Sequence, residues 1–228
     1  MTGWSEFILA GMLFLATHAI PSMPKLKAAL VRGLGQRGWV IGFSLLSTAL
    51  LFWVIFAAGR APYVEIWPQK TWARWLVNIA MPLAILLGSF GVGAPNPFAF
   101  EARASGFDPV HPGIAGLTRQ PLLWAIAIWA AAHLVANGDL AHLILFGAFA
   151  LFTAMGLRAL EARKRRQMGE TEWQRLSART GLIPGAALVV GRWRPKGWPS
   201  PTRLIVAVLV WVTLYHLHAP VIGVSPQP

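Results

Sequence analysis

The 228-residue chain contains no cysteine, only two tyrosines and only eight acidic residues. The missing cysteines exclude a disulfide scaffold, a thiolate metal site and a cysteine nucleophile. Charge is scarce as well. Asp, Glu, Lys and Arg make up 12% of the chain, about half the share usual in a water-soluble domain. With 56% hydrophobic residues and a mean hydropathy of +0.55, the composition argues against a soluble globular enzyme. Basic residues are the exception to the scarcity: 20 Lys and Arg give a net charge of +12. In a membrane protein such an excess sets orientation in the bilayer, so it is not read as a nucleic-acid surface.

The charged residues divide the chain into apolar blocks. Residues 7–24, 38–59, 75–100, 120–138, 140–157 and 204–228 contain no Asp, Glu, Lys or Arg. Each is long enough for a helix to cross the hydrocarbon, which takes about 20 residues. The first block follows Glu6 with no basic leader, so it reads as a retained helix rather than a cleaved signal. The fold class expected is all-α, a polytopic bundle of about six transmembrane helices forming a single domain over residues 1–228. Of the 20 basic residues, 17 fall in the first, third and fifth connections. By the positive-inside rule those connections are cytoplasmic and both termini periplasmic, as in a multi-pass bacterial inner-membrane protein.

The connections carry detail of their own. Residues 94–119 are rich in Pro and Gly and should not form a long helix. Asn137-Gly138-Asp139-Leu140 reads as a tight turn, making residues 120–157 an antiparallel helical hairpin, with positive φ expected at Asn137-Gly138. The basic cytoplasmic loop at 158–203 contains "RALEARKRRQMGETEWQRLSARTG". This stretch is helix-compatible and is expected along the face where anionic headgroups attract it. The following "GLIPGAALVVG" is apolar but too short to span, and suits an interfacial or re-entrant piece.

Polar groups within spans are costly, so chemistry is sought there first. No carboxylate falls in the six blocks, and there is no HExxH motif and no phosphate-binding glycine loop. Six histidines remain: His18, His111, His133, His142, His216 and His218. All but His111 lie in or at the ends of the blocks. A lone span histidine usually makes an interhelical hydrogen bond. Several in one small bundle point instead to a cofactor held between facing helices.

His111-Pro112-Gly113, Leu117-Thr118-Arg119-Gln120-Pro121, Trp129, Ala132-His133-Leu134 and Asn137-Gly138-Asp139 together resemble the NnrU family, named for nitrite and nitric oxide reductase U. The N-terminal "LFLATHAIPSMPKLKAALVRGLGQRGW" fits the same family, so the resemblance covers nearly the whole chain. Plant zeta-carotene isomerase, a polytopic enzyme using haem b, is similar to it. There, one haem-ligating histidine lies 13 residues after the histidine of a TRHP motif. Here Gln120 stands at that motif position and His133 lies 13 residues further on. The isomerase's other ligand sits in a context similar to Thr17-His18-Ala19. The resemblance therefore implies haem b on His18 and His133, with Arg119 and Asn137 among the cofactor-binding residues. It also implies a role linked to redox or nitrogen-oxide (denitrification) chemistry, or an isomerase-like activity on a hydrophobic small molecule. Two departures are plain. Gln120 replaces the motif histidine, and Ala130 stands where the isomerase has a cysteine three residues before its ligand, so that enzyme's ligand switch is absent.

Depth arithmetic leaves the second ligand open. At 1.5 Å of rise per residue, His133 lies roughly 6 Å outward of its block's centre and His18 roughly 4 Å towards the cytoplasm. His216 lies about 5 Å outward, level with His133. Depth pairs His133 with His216; the resemblance pairs it with His18. Two further readings stand beside haem. The family is distantly similar to isoprenylcysteine and phospholipid methyltransferases, which implies S-adenosylmethionine near the cytoplasmic end of residues 120–180, with Glu170, Glu172 and Pro184 in a remnant segment. Alternatively, the protein is a non-enzymatic accessory of respiratory or denitrification proteins, with Trp67, Trp72, Trp75, Trp193 and Trp198 suiting a partner surface.

Overall fold

A computed structural model describes residues 3–100 and 103–228. Among the described residues it contains helices and no sheet: α1 (Gly3–Ala19), α2 (Pro24–Arg60), α3 (Thr71–Gly91), α4 (Ile114–Leu117), α5 (Pro121–Ala136), α6 (Leu140–Met168), α7 (Glu170–Ser177), α8 (Ala186–Val189) and α9 (Pro201–Ile222). Five helical segments are long and apolar enough to cross a membrane: Gly3–Ser22, which is α1 with a short 3₁₀ turn, together with α2, α3, α6 and α9. α5 is apolar as well but shorter, at 16 residues. The protein is an all-α polytopic membrane bundle.

The apolar blocks locate these helices but not all of their ends. The block 75–100 stops being helical at Gly91. The apolar Val92–Phe100 stretch instead carries Phe98 into a protein interior, where it is fully buried. The first basic connection is itself helical: α2 begins at Pro24 and breaks only at Gly35, whose φ of 71° admits glycine with little penalty. The basic stretch expected as one surface helix is two. Its first part continues α6 to Met168, Gly169 turns at φ 77°, and α7 follows. Two carboxylates also lie inside long apolar helices after all: Glu6 in the first turn of α1 and Glu161 in α6.

The chain divides into two compact units, Met1–Pro68 with Asn137–Leu145, and Gln69–Ala136 with Phe146–Pro228. In the first, α1 packs along α2. The start of α1 meets the end of α2 so closely that a Cβ on Gly3 would lie 2.2 Å from the Arg60 carbonyl oxygen. Glu6 is satisfied at that end by Arg60, at 2.5 Å, and by the indole N–H of Trp53, at 3.1 Å. This answers the cost of a carboxylate in an apolar helix. The same unit holds the 137–140 turn. Ile66 and Trp67 donate backbone N–H groups to the Gly138 carbonyl at 2.7 and 3.1 Å, and Leu140 N–H donates to the Val64 carbonyl at 2.9 Å. Gly138 is not among the glycines with positive φ. The turn needs glycine there for a different reason: a Cβ would sit 1.8 Å from the Trp67 carbonyl oxygen.

In the second unit α3 packs on α5 and α9. Pro121 presses on Gly91, where a Cβ would meet its ring at 2.7 Å. α5 and α6 run antiparallel, as the hairpin pattern predicts. Leu134 reaches Gly147 and Leu123 reaches Gly156, while the Trp129 ring lies 5.2 Å from Phe146 and 5.3 Å from Phe149. One end of this unit has its own core, in which Phe98 meets Trp173 and Phe107 edge-to-face at 5.3 and 5.6 Å.

Candidate functional site

Thr118-Arg119-Gln120-Pro121 forms the entrance to α5. Thr118 is extended (φ −156°), which stops α4 and lets Pro121 open α5 at a position where its missing N–H costs nothing. Three of the four are fully or almost fully buried, and nearly every polar group is taken up. Thr118 Oγ donates to the Leu182 carbonyl at 2.8 Å, and Trp124 Nε1 donates to the same carbonyl at 2.9 Å. Arg119 N–H donates to the Gly181 carbonyl at 2.7 Å. Its guanidinium forms a two-pronged ion pair with Glu161, donates to Thr180 Oγ at 2.9 Å and lies over the Phe98 and Trp173 rings at 5.8 and 5.3 Å. Such a fork matches a carboxylate geometrically as a lysine could not.

Gln120 is 1% exposed. Its Nε2 donates to the Phe98 carbonyl at 2.8 Å, and its Oε1 has no hydrogen-bond partner among the described residues. Asn96, 2% exposed, completes the knot. Its side-chain N–H donates to the Arg119 carbonyl at 3.0 Å, and its Oδ1 accepts from Phe98 N–H at 3.1 Å. The TRHP-like sequence is therefore a folding node that ties the 92–100 segment, α6 and the 177–185 segment to the start of α5. Neither Asn96 nor Thr180 stands out in the sequence. A polar residue in a Pro- and Gly-rich stretch gives no signal until its distant partners are known.

The histidines occupy unlike settings. His133, on α5 and half-buried, donates from Nδ1 to the Trp129 carbonyl at 2.9 Å. Its ring lies 5.7 Å from Trp129 and 5.1 Å from Phe146. His18, on α1, repeats the arrangement: Nδ1 donates to the Phe14 carbonyl at 2.8 Å, with the ring stacked on Phe14 at 4.0 Å and edge-on to Phe43 at 5.5 Å. Since a carbonyl only accepts, Nδ1 carries a proton in both. His216, on α9, is exposed, and its ring contact is Tyr215 at 5.6 Å. His142 donates from Nδ1 to Asp139 at 2.7 Å, and Asp139 in turn accepts the His142 backbone N–H, capping α6. His18 and His133 belong to different units, and Asn137 lies just beyond α5, half-buried, in the segment that ends in the 138–140 turn.

Among the described residues, no three His, Asp or Glu come together to cage a metal ion. A haem needs less from the protein, because its macrocycle supplies the equatorial ligands and the chain one or two axial ones. Imidazoles fixed through Nδ1 to a backbone carbonyl suit axial ligation, because the hydrogen bond sets the ring and leaves Nε2 as the ligating atom.

The family model described as NnrU protein matches residues 6–226. No curated protein and no solved structure matches the chain. The chain belongs to the NnrU family.

Proposed function

Starting from that membership, we propose that this NnrU-family membrane protein binds one haem b, whose iron His133 would hold, and serves redox or nitrogen-oxide-linked chemistry. The observation that carries the reading is the setting of His133: a half-buried imidazole on an apolar helix, its Nδ1–H held by the Trp129 carbonyl and its ring set between Trp129 and Phe146. His18 has the same setting and is the second ligand that the family resemblance implies; exposed His216 lacks it. The chain's part is to fix the ring, present Nε2 and surround it with aromatic groups that keep water away. Bound haem would supply a one-electron couple or an iron Lewis acid. In this reading the protein sits in a bacterial inner membrane with both termini periplasmic, in line with the bias of Lys and Arg.

The test is a visible spectrum of the detergent-purified protein. A Soret band that shifts on dithionite reduction is expected, lost in His133→Ala. His18→Ala should lose it too, and His216→Ala should keep it. If His216→Ala loses haem and His18→Ala keeps it, depth is the better guide to the second ligand. A wild-type protein that stays colourless after haem supplementation overturns the proposal. No feature of the site favours S-adenosylmethionine over this reading, since Arg119 is already committed to Glu161, Thr180 and two aromatic rings.

A further inference from the structure

Four arginines among the described residues are paired with carboxylates. Arg60 pairs with Glu6, Arg119 with Glu161, Arg165 with Glu170 and Arg175 with Glu172. Elsewhere in the second unit several cations gather without a carboxylate among them. A cleft of about 500 Å³ is lined by Arg179, Arg192, Arg194, Lys196, His111 and Trp193, and no carboxylate lines it among the described residues. The side chains of Arg192 and Arg194 make no ion pair and no hydrogen bond among the described residues. Lys196 Nζ lies 3.5 Å from His111 Nε2, and Arg179 donates to the Val110 carbonyl at 3.4 Å. Asp108 holds the other nitrogen of the His111 ring, 2.8 Å from Nδ1.

The cleft is built rather than left over. Gly191 (φ 72°) and Gly197 (φ 79°) bend the segment at both ends. The N–H groups of Arg192 and Trp193 both donate to the Ala187 carbonyl, at 2.9 and 3.1 Å, fastening it to α8. The Trp193 indole lies flush on α4, where a Cβ on Gly116 would come within 2.3 Å of the ring. The stretch of chain that carries these cations also exposes apolar side chains: Ile183, Leu188, Val189 (85% exposed), Val190 and Trp198 (96% exposed). Lone exposed apolar residues are ordinary, but several within one short stretch offer apolar surface for a contact.

We propose that this cleft is a specific binding site for the phosphate headgroup of an anionic phospholipid, with the lipid's acyl chains along the exposed apolar side chains of residues 183–190. A phosphate diester carries one negative charge and oxygens that guanidinium forks grip well. The unpaired charge of the cleft and the apolar side chains on the same stretch of chain match the two ends of one amphiphile. A soluble phosphate would use the cations but not the apolar side chains.

The experiment uses the full-length protein, delipidated in detergent, and native mass spectrometry. The probes are phosphatidylglycerol and phosphatidylcholine of identical chains, with inorganic phosphate as competitor. Wild type is expected to retain one phosphatidylglycerol in preference to phosphatidylcholine. Removing three cleft charges together (Arg192→Gln, Arg194→Gln, Lys196→Gln) should weaken retention at least about tenfold, since each basic group near an anionic headgroup contributes measurably. Arg158→Gln with Arg163→Gln and Arg166→Gln takes the same charge from α6 and should leave retention unchanged. Gly116→Ala keeps every charge but pushes Trp193 out of place, and should weaken retention too. Equal binding of the two lipids overturns the proposal, as does equal loss in the α6 variant or wild-type retention in Gly116→Ala; the latter two mean a diffuse basic surface. Displacement of phosphatidylglycerol by equimolar inorganic phosphate overturns the lipid assignment in favour of a soluble anion.

Discussion

Gly138→Ala is the sharpest test of how the 64–67 segment and the 137–140 turn hold each other. The new Cβ would lie 1.8 Å from the Trp67 carbonyl oxygen, against backbone rather than a side chain that could swing aside. Ordinary contact begins at about 3.4 Å, so the two stretches of chain must separate by more than an ångström. Three backbone hydrogen bonds cross this gap: Ile66 and Trp67 to the Gly138 carbonyl, and Leu140 to the Val64 carbonyl. Each is worth about 1 kcal/mol net. Losing two or three costs about 2–3 kcal/mol, which corresponds to a fall in Tm of roughly 4–12 °C for a chain of this size. The assay is thermal unfolding of the purified protein in detergent, with Gly147→Ala as the control. Gly147 lies within α6 and a Cβ there meets nothing closer than Leu134 Cδ1 at 4.0 Å, so that variant should be neutral or slightly stabilising. Equal Tm values for the two variants would refute the close-approach reasoning. Because the constraint is space and not φ, Gly138→Asn, which tolerates positive φ, should be no better than Gly138→Ala.

Four further outcomes are expected. His133→Ala should abolish the haem spectrum while leaving the protein folded, as read by circular dichroism. Reporter fusions within 170–200 should read cytoplasmic and fusions at Asp139 or after His218 periplasmic; a periplasmic signal from 170–200 overturns the topology. Glu161→Gln strips the Arg119 guanidinium of its charged partner in a setting where its side chain is only 11% exposed, and should lower stability by about 2–3 kcal/mol in detergent unfolding, whereas exposed Glu172→Gln should barely register. The Asp108 carboxyl is held below the ordinary aspartate range by the hydrogen bond from His111, helped by the Val110 backbone N–H. With the folded value depressed, the contribution of this bond is fully present above the ordinary aspartate value of about 3.9 and is lost as pH falls through the folded one. An NMR titration of the Asp108 carboxyl carbon should therefore shift towards ordinary behaviour in His111→Ala, and an unchanged midpoint would show that the pair is incidental.

The apolar blocks make the bundle legible because lipid excludes charge, so gaps between charged residues coincide with helices. That logic fails wherever apolar residues are buried in protein instead. Val92–Phe100 has the composition of a span end, yet it leaves α3 at Gly91 because Phe98 belongs against Trp173 and Phe107. The opposite failure is Glu6: its charge marks a boundary, but Arg60 and Trp53, some 50 residues away, neutralise and solvate it within α1. The node at Thr118–Pro121 is visible as a motif and invisible as a structure. Its meaning depends on Asn96, Glu161 and Thr180, and pairings across such distances leave no local pattern. The glycine at 138 stands out in the sequence for the right consequence and the wrong cause, since a turn glycine suggests positive φ until the facing backbone is known.

The same distinction bears on the histidines. Position along a helix gives depth alone, and depth ranks His216 level with His133. Ring setting is a separate property, fixed by whether an imidazole can return its Nδ1 proton to the carbonyl one turn earlier and whether aromatic neighbours hold the plane. His18 and His133 meet both conditions, each with its i−4 carbonyl and rings on either side. Among the described residues His216 meets neither, and His142 spends its Nδ1–H on a hydrogen bond to the Asp139 carboxylate that caps α6. A ligand must be oriented before binding if ordering cost is not to be subtracted from affinity. On that ground the order of haem loss among alanine variants should follow ring setting, His133 and His18 before His216, rather than depth.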